Sequence, residues 1–466
     1  MVGFSEESGE DIGISSTVIP GARPVRAIPG QVPRDVTGTQ AARRGSGVWL
    51  RLFEVTLALF LAGFLLADVY PWLHPFNRLL GGVLALLAIS SWLRRRGGIP
   101  AEVALFGAFI AWGVLTGFLS ATNQSFVLAY GRLLSQELIL AFALTEYVRA
   151  RGSPTFVFLL LMVVPLCMFW YARGAGQLVT AQEGSKGSRL TSFTANPNTA
   201  ASLCLYGLFG VAYFLWNRKK QGLVLWPLLA LPFAASSLVF SGSRKNLVSV
   251  GVFVLMWAFL TYGRAKNSRL RSVLSLLVVA AALYGAGRFI VENTPVGERF
   301  RQTSLDPRLS TVRYNLYEEG WMMFLESPFQ GVGLGNFVAH SSTGKYSHSD
   351  FMEVLATTGL VGFVLYFSIY LVLWRRLRRV LRRHPDATAR YMAGLYQAAI
   401  ITLLTLGLGT PNFLSPLHLY VIGVMVGHTH AMEQGLRGTR PAESRASKGV
   451  TSSRPVSARR ANRSSL

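Results

Sequence analysis

Twelve apolar segments, each near the length that crosses a bilayer, occupy residues 48–432 and leave this chain few folds to choose from. Inside hydrocarbon every backbone N–H and C=O must be satisfied within the protein, so segments of this kind form helices. They fall at 48–67, 77–93, 99–118, 124–148, 154–173, 197–216, 222–241, 245–263, 271–291, 349–374, 388–408 and 413–432. The sequence therefore predicts an all-α polytopic membrane protein of about 12 transmembrane helices. A content of 51% hydrophobic against 15% charged residues agrees with that class and excludes an ordinary soluble domain.

The formal charge of +24 raises the question of nucleic acid. Its Arg and Lys, however, sit in short clusters between apolar segments: Arg94 to Arg96, Arg149 with Arg151, Arg218 to Lys220, Arg264 to Arg271, and Arg375 to Arg383. All follow even-numbered spans, so the positive-inside rule places them, and both tails, in the cytoplasm. No nucleic-acid partner is expected. Residues 1–47 read as a disordered cytoplasmic tail, 48–432 as the membrane domain and 433–466 as a basic disordered tail whose contact is anionic lipid. Two long loops, 174–196 and 292–347, then face the other side. Only Cys167 and Cys204 occur, both in apolar segments, which excludes a disulfide framework and a zinc site.

The polar residues of interest lie on that outer side. Arg189 precedes Asn196-Pro197-Asn198, where Asn196 suits a helix cap and Pro197 the first helical position. Arg189 is not required by topology. Ser241-Gly242-Ser243-Arg244 forms a tight turn that puts an Arg at a helix start, although binding a lipid headgroup explains one such Arg equally well. Arg313 lies in a stretch with Leu316, Tyr317, Trp321 and Phe324 at helical spacing, read as an amphipathic surface helix, on which Glu318 and Glu319 are alternative bases or simply a solvated face. Gly331-Val332-Gly333-Leu334-Gly335-Asn336-Phe337 has no preceding strand, so it is turn geometry and not a nucleotide loop.

In the apolar fourth segment Arg132, Gln136 and Glu137 are functional or pair with one another. Arg78, Arg288 and His418 lie near outer span ends and read as interfacial, with Arg288 kept as a secondary candidate. Neither long loop contains Asp-x-Asp or metal-ligand spacing, so no metal and no cofactor are expected. Arg groups would then neutralise a pyrophosphate.

His348 is the candidate base. Ser347 reads as the N-cap and Asp350 as its capping-box partner, which puts His348 in the first helical turn, where the helix dipole disfavours imidazolium. A neutral ring there suits general base chemistry. An interfacial His is the plain alternative, and His340 is the rival base in the same loop.

His348, Ser349, nine residues, then Gly359-Leu360-Val361-Gly362 resembles the signature of the O-antigen ligase family of bacterial membrane glycosyltransferases. Arg189 with Asn196-Pro197-Asn198, the turn before Arg244, Arg313 ahead of Trp321, and the segment from Pro328 to Phe337 extend the resemblance over about 185–365. It implies a GT-C-like enzyme of the bacterial inner membrane, metal-independent and inverting, with its active site facing the periplasm. The implied donor is an undecaprenyl-pyrophosphate-linked glycan and the implied acceptor lipid A-core. The resemblance further implies that Arg244 and Arg313 hold the pyrophosphate and that His348 activates the acceptor hydroxyl; Arg189, on the same outer face, is expected to join the two arginines. Arg132, Asn196, Asn198, Arg288, Glu319 and His340 are secondary candidates. The same signature occurs in O-antigen polymerases and protein O-oligosaccharyltransferases, and a transporter of lipid-linked substrate is the alternative of a different class. Residues 387–432 hold no Asp or Glu, so a carboxylate from there is not expected to orient the His.

Overall fold

The structure, a computed structural model, describes residues 36–67, 69–95, 97–120, 123–176, 190–191, 196–221, 225–262, 269–294, 297 and 307–438. Fourteen α-helices are found among them: α1 Val36–Leu66, α2 Leu73–Arg95, α3 Ala101–Ser120, α4 Gln124–Arg151, α5 Thr155–Gly174, α6 Pro197–Gln221, α7 Leu225–Phe240, α8 Arg244–Tyr262, α9 Arg269–Asn293, α10 Pro307–Glu326, α11 Phe337–His340, α12 Asp350–Arg383, α13 Ala387–Gly407 and α14 Pro416–Gly438. No strand occurs among the described residues. Internal contacts divide the chain between Val48 and Trp49, and the helical body lies in Trp49–Leu466.

Each predicted apolar segment is mainly helical over its described residues, and the chain is an all-α polytopic membrane protein. Eight helices, α1 to α6, α8 and α12, are long and apolar enough to cross a membrane. The apolar stretch of α7 is shorter, and α9, α13 and α14 are helical without meeting that measure. α1 begins at Val36, with its candidate span starting at Gly47, and α14 runs to Gly438. Most of both predicted tails, like Arg189, lies outside the described residues.

Caps fix several helix ends. The Asn123 side chain accepts the Ser125 N–H at 3.1 Å at the start of α4, and Gly152, at φ 69°, closes that helix on Val148 O. Helix packing relies on small residues. α4 packs along α14, where a Cβ added at Gly423 would sit 2.6 Å from Ala141 O and one at Gly427 2.6 Å from Thr145 O. This glycine pair, four residues apart, lets two backbones approach, and the Thr145 hydroxyl donates to Gly423 O at 3.0 Å. Gly427→Leu should therefore lose about 1–3 kcal/mol of stability by overpacking. Thermal unfolding in detergent measures it, and an unchanged midpoint contradicts the packing assigned to α4 and α14.

α12, the helix that follows His348, is not continuous. It breaks at Gly359, whose φ of 64° and ψ of −169° are non-helical. The glycine-rich loop docks on the break: Val332 N–H donates to Ala356 O at 2.9 Å and Gly333 N–H to Thr357 O at 3.0 Å, while Trp112 Nε1 donates to Thr358 O at 3.0 Å. Three carbonyls that a break would orphan are thus satisfied. Leu360 N–H in turn reaches Pro328 O at 2.8 Å. Gly331, Gly333 and Gly335 all have positive φ, at 72°, 99° and 77°, a region closed to most side chains. A Cβ at Gly331 would lie 2.4 Å from the Thr357 carbonyl carbon. Beneath this loop Leu316 and Met323 of α10 pack with Val332, Phe337 and Ala356, so α10 turns that face inward and exposes Tyr314 and Trp321.

Candidate functional site

The helix start predicted at Ser347 is instead at Asp350, with Ser349 as N-cap. His348 accordingly precedes the helix and does not lie in its first turn. Asp350, expected to complete a capping box, is drawn away: it is buried, and its Oδ1 accepts the Phe413 N–H at 3.0 Å. The carboxyl that reaches back is Glu353, whose Oε2 accepts the Ser347 N–H at 2.7 Å. His348 itself has φ 62°, and it is the one non-glycine residue with positive φ among those described. That conformation costs an L-residue about 1–2 kcal/mol and persists only where the surroundings over-determine it.

The His348 ring is half-buried and lies 4.3 Å from the Tyr346 ring at 56°. Burial first, and then the positive charges of Arg313, Lys245 and Lys345, together lower its pKa to about 4. The neutrality expected from a helix dipole thus comes mainly from desolvation and these cations. Burial and the nearby Glu353 carboxyl push the Tyr346 hydroxyl up, while Arg313 acts against them.

Arg244 begins α8 after the Ser241–Ser243 turn, in which Gly242 has φ 65°. Ser243 Oγ donates to Asn198 Oδ1 at 3.1 Å, and Asn246 Nδ2 donates to Ser243 Oγ at 2.9 Å. Asn198 therefore ties the start of α6 to the start of α8. Asn196 accepts the Asn198 N–H at 2.8 Å, and α6 opens on Pro197. Leu190, fully buried, donates its N–H to Phe240 O at 3.1 Å, which brings that residue to the same turn. One residue on, Lys245 Nζ donates to Gly409 O at 3.3 Å at the end of α13. The starts of α6, α8 and α12 thus meet at one end of the bundle, with Arg244, Lys245, Arg313 and His348 among them.

Other candidates are placed elsewhere. Arg313 is exposed on α10 and, with Lys245, acts electrostatically on His348. His340 is exposed at the end of the one-turn α11. Glu319, expected on a solvated face, accepts the Ser342 N–H at 3.2 Å and the Ser342 hydroxyl, clamping the 341–347 loop to α10. Arg288 pairs with Glu292 on an exposed face of α9. Arg132 and Glu137 do not pair as the sequence allowed: Arg132 faces outward, whereas Glu137 is 2% exposed and its oxygens have no hydrogen-bond partner among the described residues. His418 is not interfacial but fully buried, with Nε2 2.5 Å from the Tyr370 hydroxyl.

No group of three or more His, Cys, Asp or Glu among the described residues is placed to hold a metal ion. The arrangement offers a neutral imidazole beside several cations, which suits proton removal next to a departing anion.

Residues 229–367 match the family model described as O-antigen ligase. Over this stretch the chain is similar to the O-antigen ligase family. The matched stretch runs from within α7 into α12, so it contains Arg244, Lys245, Arg313, the glycine loop and His348. Asn196 and Asn198 lie before it, as does the buried Glu137. A comparison with curated proteins gives no match. Members of that family are membrane glycosyltransferase-like ligases and polymerases that use lipid-linked glycans, and the long apolar helices of this chain agree with a multi-pass membrane protein.

Sequence reasoning passed over Lys245, Asn246 and Glu353. The signals were present: a second cation beside Arg244, and two polar residues in the first turns of apolar helices.

Proposed function

We propose that this chain transfers glycan from undecaprenyl pyrophosphate to lipid A-core oligosaccharide at the periplasmic face, by metal-independent inverting transfer. The observation that carries the reading is the strained, half-buried His348 held beside Arg313 and Lys245. His348 takes the proton from an acceptor hydroxyl as that oxygen attacks the anomeric carbon. The bond from that carbon to the pyrophosphate oxygen breaks, and undecaprenyl pyrophosphate leaves with the electron pair. Arg244 and Arg313, with Arg189 from the first long loop, neutralise the charge that develops on it. The starts of α6, α8 and α12 add positive dipole ends at the same place.

A bound pyrophosphate offsets the cations around His348 and so raises its pKa toward the working pH. The base is therefore strengthened when the donor is in place. In the free protein the acid limb of kcat/KM should lie near pH 4. Arg313→Ala removes a positive neighbour, favours imidazolium and should move that limb to higher pH. A pH–rate profile of both proteins checks this, and an unmoved limb contradicts the placement of Arg313.

The charges at the far end of the bundle support this orientation. There Arg95 and Arg149 pair with Glu146 at 2.8 and 2.5 Å, and Arg376 pairs with Glu102 at 3.2 Å, among the arginines that end α2, α4 and α12. Positive clusters favour the cytoplasmic side, which supports a reading with His348 outside. In a background lacking Cys167 and Cys204, Thr343→Cys should react with an impermeant thiol reagent in intact spheroplasts. Ser447→Cys should react only after lysis; the reverse pattern overturns the orientation.

The direct test of function supplies purified chain with undecaprenyl-pyrophosphate glycan and lipid A-core in detergent. The expected product is glycan joined to core. Lengthening of the lipid-linked glycan without core would assign a polymerase, and flux across liposomes with no transfer product a transporter.

A further inference from the structure

The catalytic reading of His348 leaves open what keeps a histidine in a left-handed backbone conformation at the edge of a membrane helix. Ser347 and Ser349 flank it, and both are buried, at 0% and 3% exposure. The Ser347 hydroxyl donates to Ser349 O at 2.9 Å and accepts the Ser349 N–H at 3.2 Å, so the two serines close a small turn around His348. That turn has a single side-chain tether to the helix among the bonds its backbone makes: Ser347 N–H to Glu353 Oε2, at 2.7 Å. Glu353 is itself 2% exposed, and its own N–H donates to Ser349 O at 2.9 Å. The peptides that enter and leave the Ser347–Ser349 turn are thus both fixed to one residue of the first helical turn.

We propose that Glu353 is the positioning residue for the base: through Ser347 it holds the His348 backbone in the left-handed region and its ring against Tyr346. This rests on the reading of His348 as the base. Glu353 touches no reacting atom. Its effect is geometric, and the acceptor oxygen of the Ser347 bond is all it must supply. Misplacing a catalytic group by about 1 Å can cost roughly 10²-fold in rate, which sets the scale of what is lost without it.

The test measures transfer by purified Glu353→Ala, Glu353→Gln, His348→Gly and the double variant Glu353→Ala/His348→Gly. Glu353→Ala should lower kcat by roughly 10- to 100-fold with KM for donor and acceptor nearly unchanged. Glu353→Gln keeps a side-chain oxygen for the Ser347 N–H and should stay close to wild type. In the His348→Gly background Glu353→Ala should cause no further loss, because the group it positions is gone. Wild-type kcat in Glu353→Ala, a Gln variant as poor as Ala, or a full additional loss in the double variant each overturns the proposal. If Glu353→Ala does not fold, Glu353→Met, which fills the same space without an acceptor for the Ser347 N–H, must show the kcat loss, and wild-type kcat there overturns it equally. A fully active His348→Gly sinks the base reading itself; an inactive His348→Gly with an active Glu353→Ala sinks only the role of Glu353.

Discussion

His348→Gly should abolish most transfer while leaving the fold as stable as wild type or more so. Glycine adopts φ 62° without the penalty that histidine meets there, so the substitution relieves about 1 kcal/mol of backbone strain. The half-buried ring is lost, but it lies in a loop outside the main core and its removal leaves no partnerless carboxyl. General base catalysis is worth typically about 10²- to 10⁴-fold, and kcat should fall by that amount with expression and insertion unchanged. His348→Ala loses the same catalysis but keeps the strain. Stability and turnover of the two variants, measured side by side, separate chemistry from folding. A His348→Gly protein that is less stable than His348→Ala contradicts the strained conformation.

Gly359→Ala should be the most damaging single methyl addition in α12. Alanine at φ 64° costs about 1–2 kcal/mol from backbone sterics alone. Its Cβ would also lie 2.3 Å from the Phe329 carbonyl carbon, and that atom belongs to backbone and cannot swing aside. Overpacking typically adds about 1–3 kcal/mol. Relief requires undocking the glycine loop, which strips the Ala356 and Thr357 carbonyls of their donors and frees the segment that leads into His348. Loss of folded protein in detergent, or inactive protein with a protease-sensitive 328–337 segment, is the expected result. Limited proteolysis with a transfer assay reads both. A stable, active Gly359→Ala protein contradicts the broken helix.

The membrane class was legible because apolar length is a local property, and each of the twelve segments carries it. Asn196 and Pro197 were legible for the same reason, since a cap is read from two adjacent residues. The N-terminus of α12 was not. Ser347 has Asp350 three residues away and Glu353 six away, and spacing favours the first. What decides is distant: the Phe413 N–H takes Asp350, and Glu353 is left for Ser347. The break at Gly359 likewise depends on the loop from Pro328 to Gly333, whose N–H groups replace the helix's own. A glycine in an apolar run does not announce that partner. Of the candidate site, Arg244, Arg313 and His348 could be named from the sequence as candidates, whereas the cause of the neutral imidazole could not be read there. It lies in burial and in Lys245 from a helix more than 100 residues earlier, both of which are tertiary facts.

The most direct measurement compares the turnover of purified His348→Ala and His340→Ala with wild type, on undecaprenyl-pyrophosphate glycan and lipid A-core, with EDTA present throughout. The expected result is full wild-type activity in EDTA, near-normal activity for His340→Ala, and a loss of about 10²- to 10⁴-fold for His348→Ala. Near-normal turnover by His348→Ala, or a wild-type reaction abolished by EDTA, contradicts transfer by His348 and arginine alone.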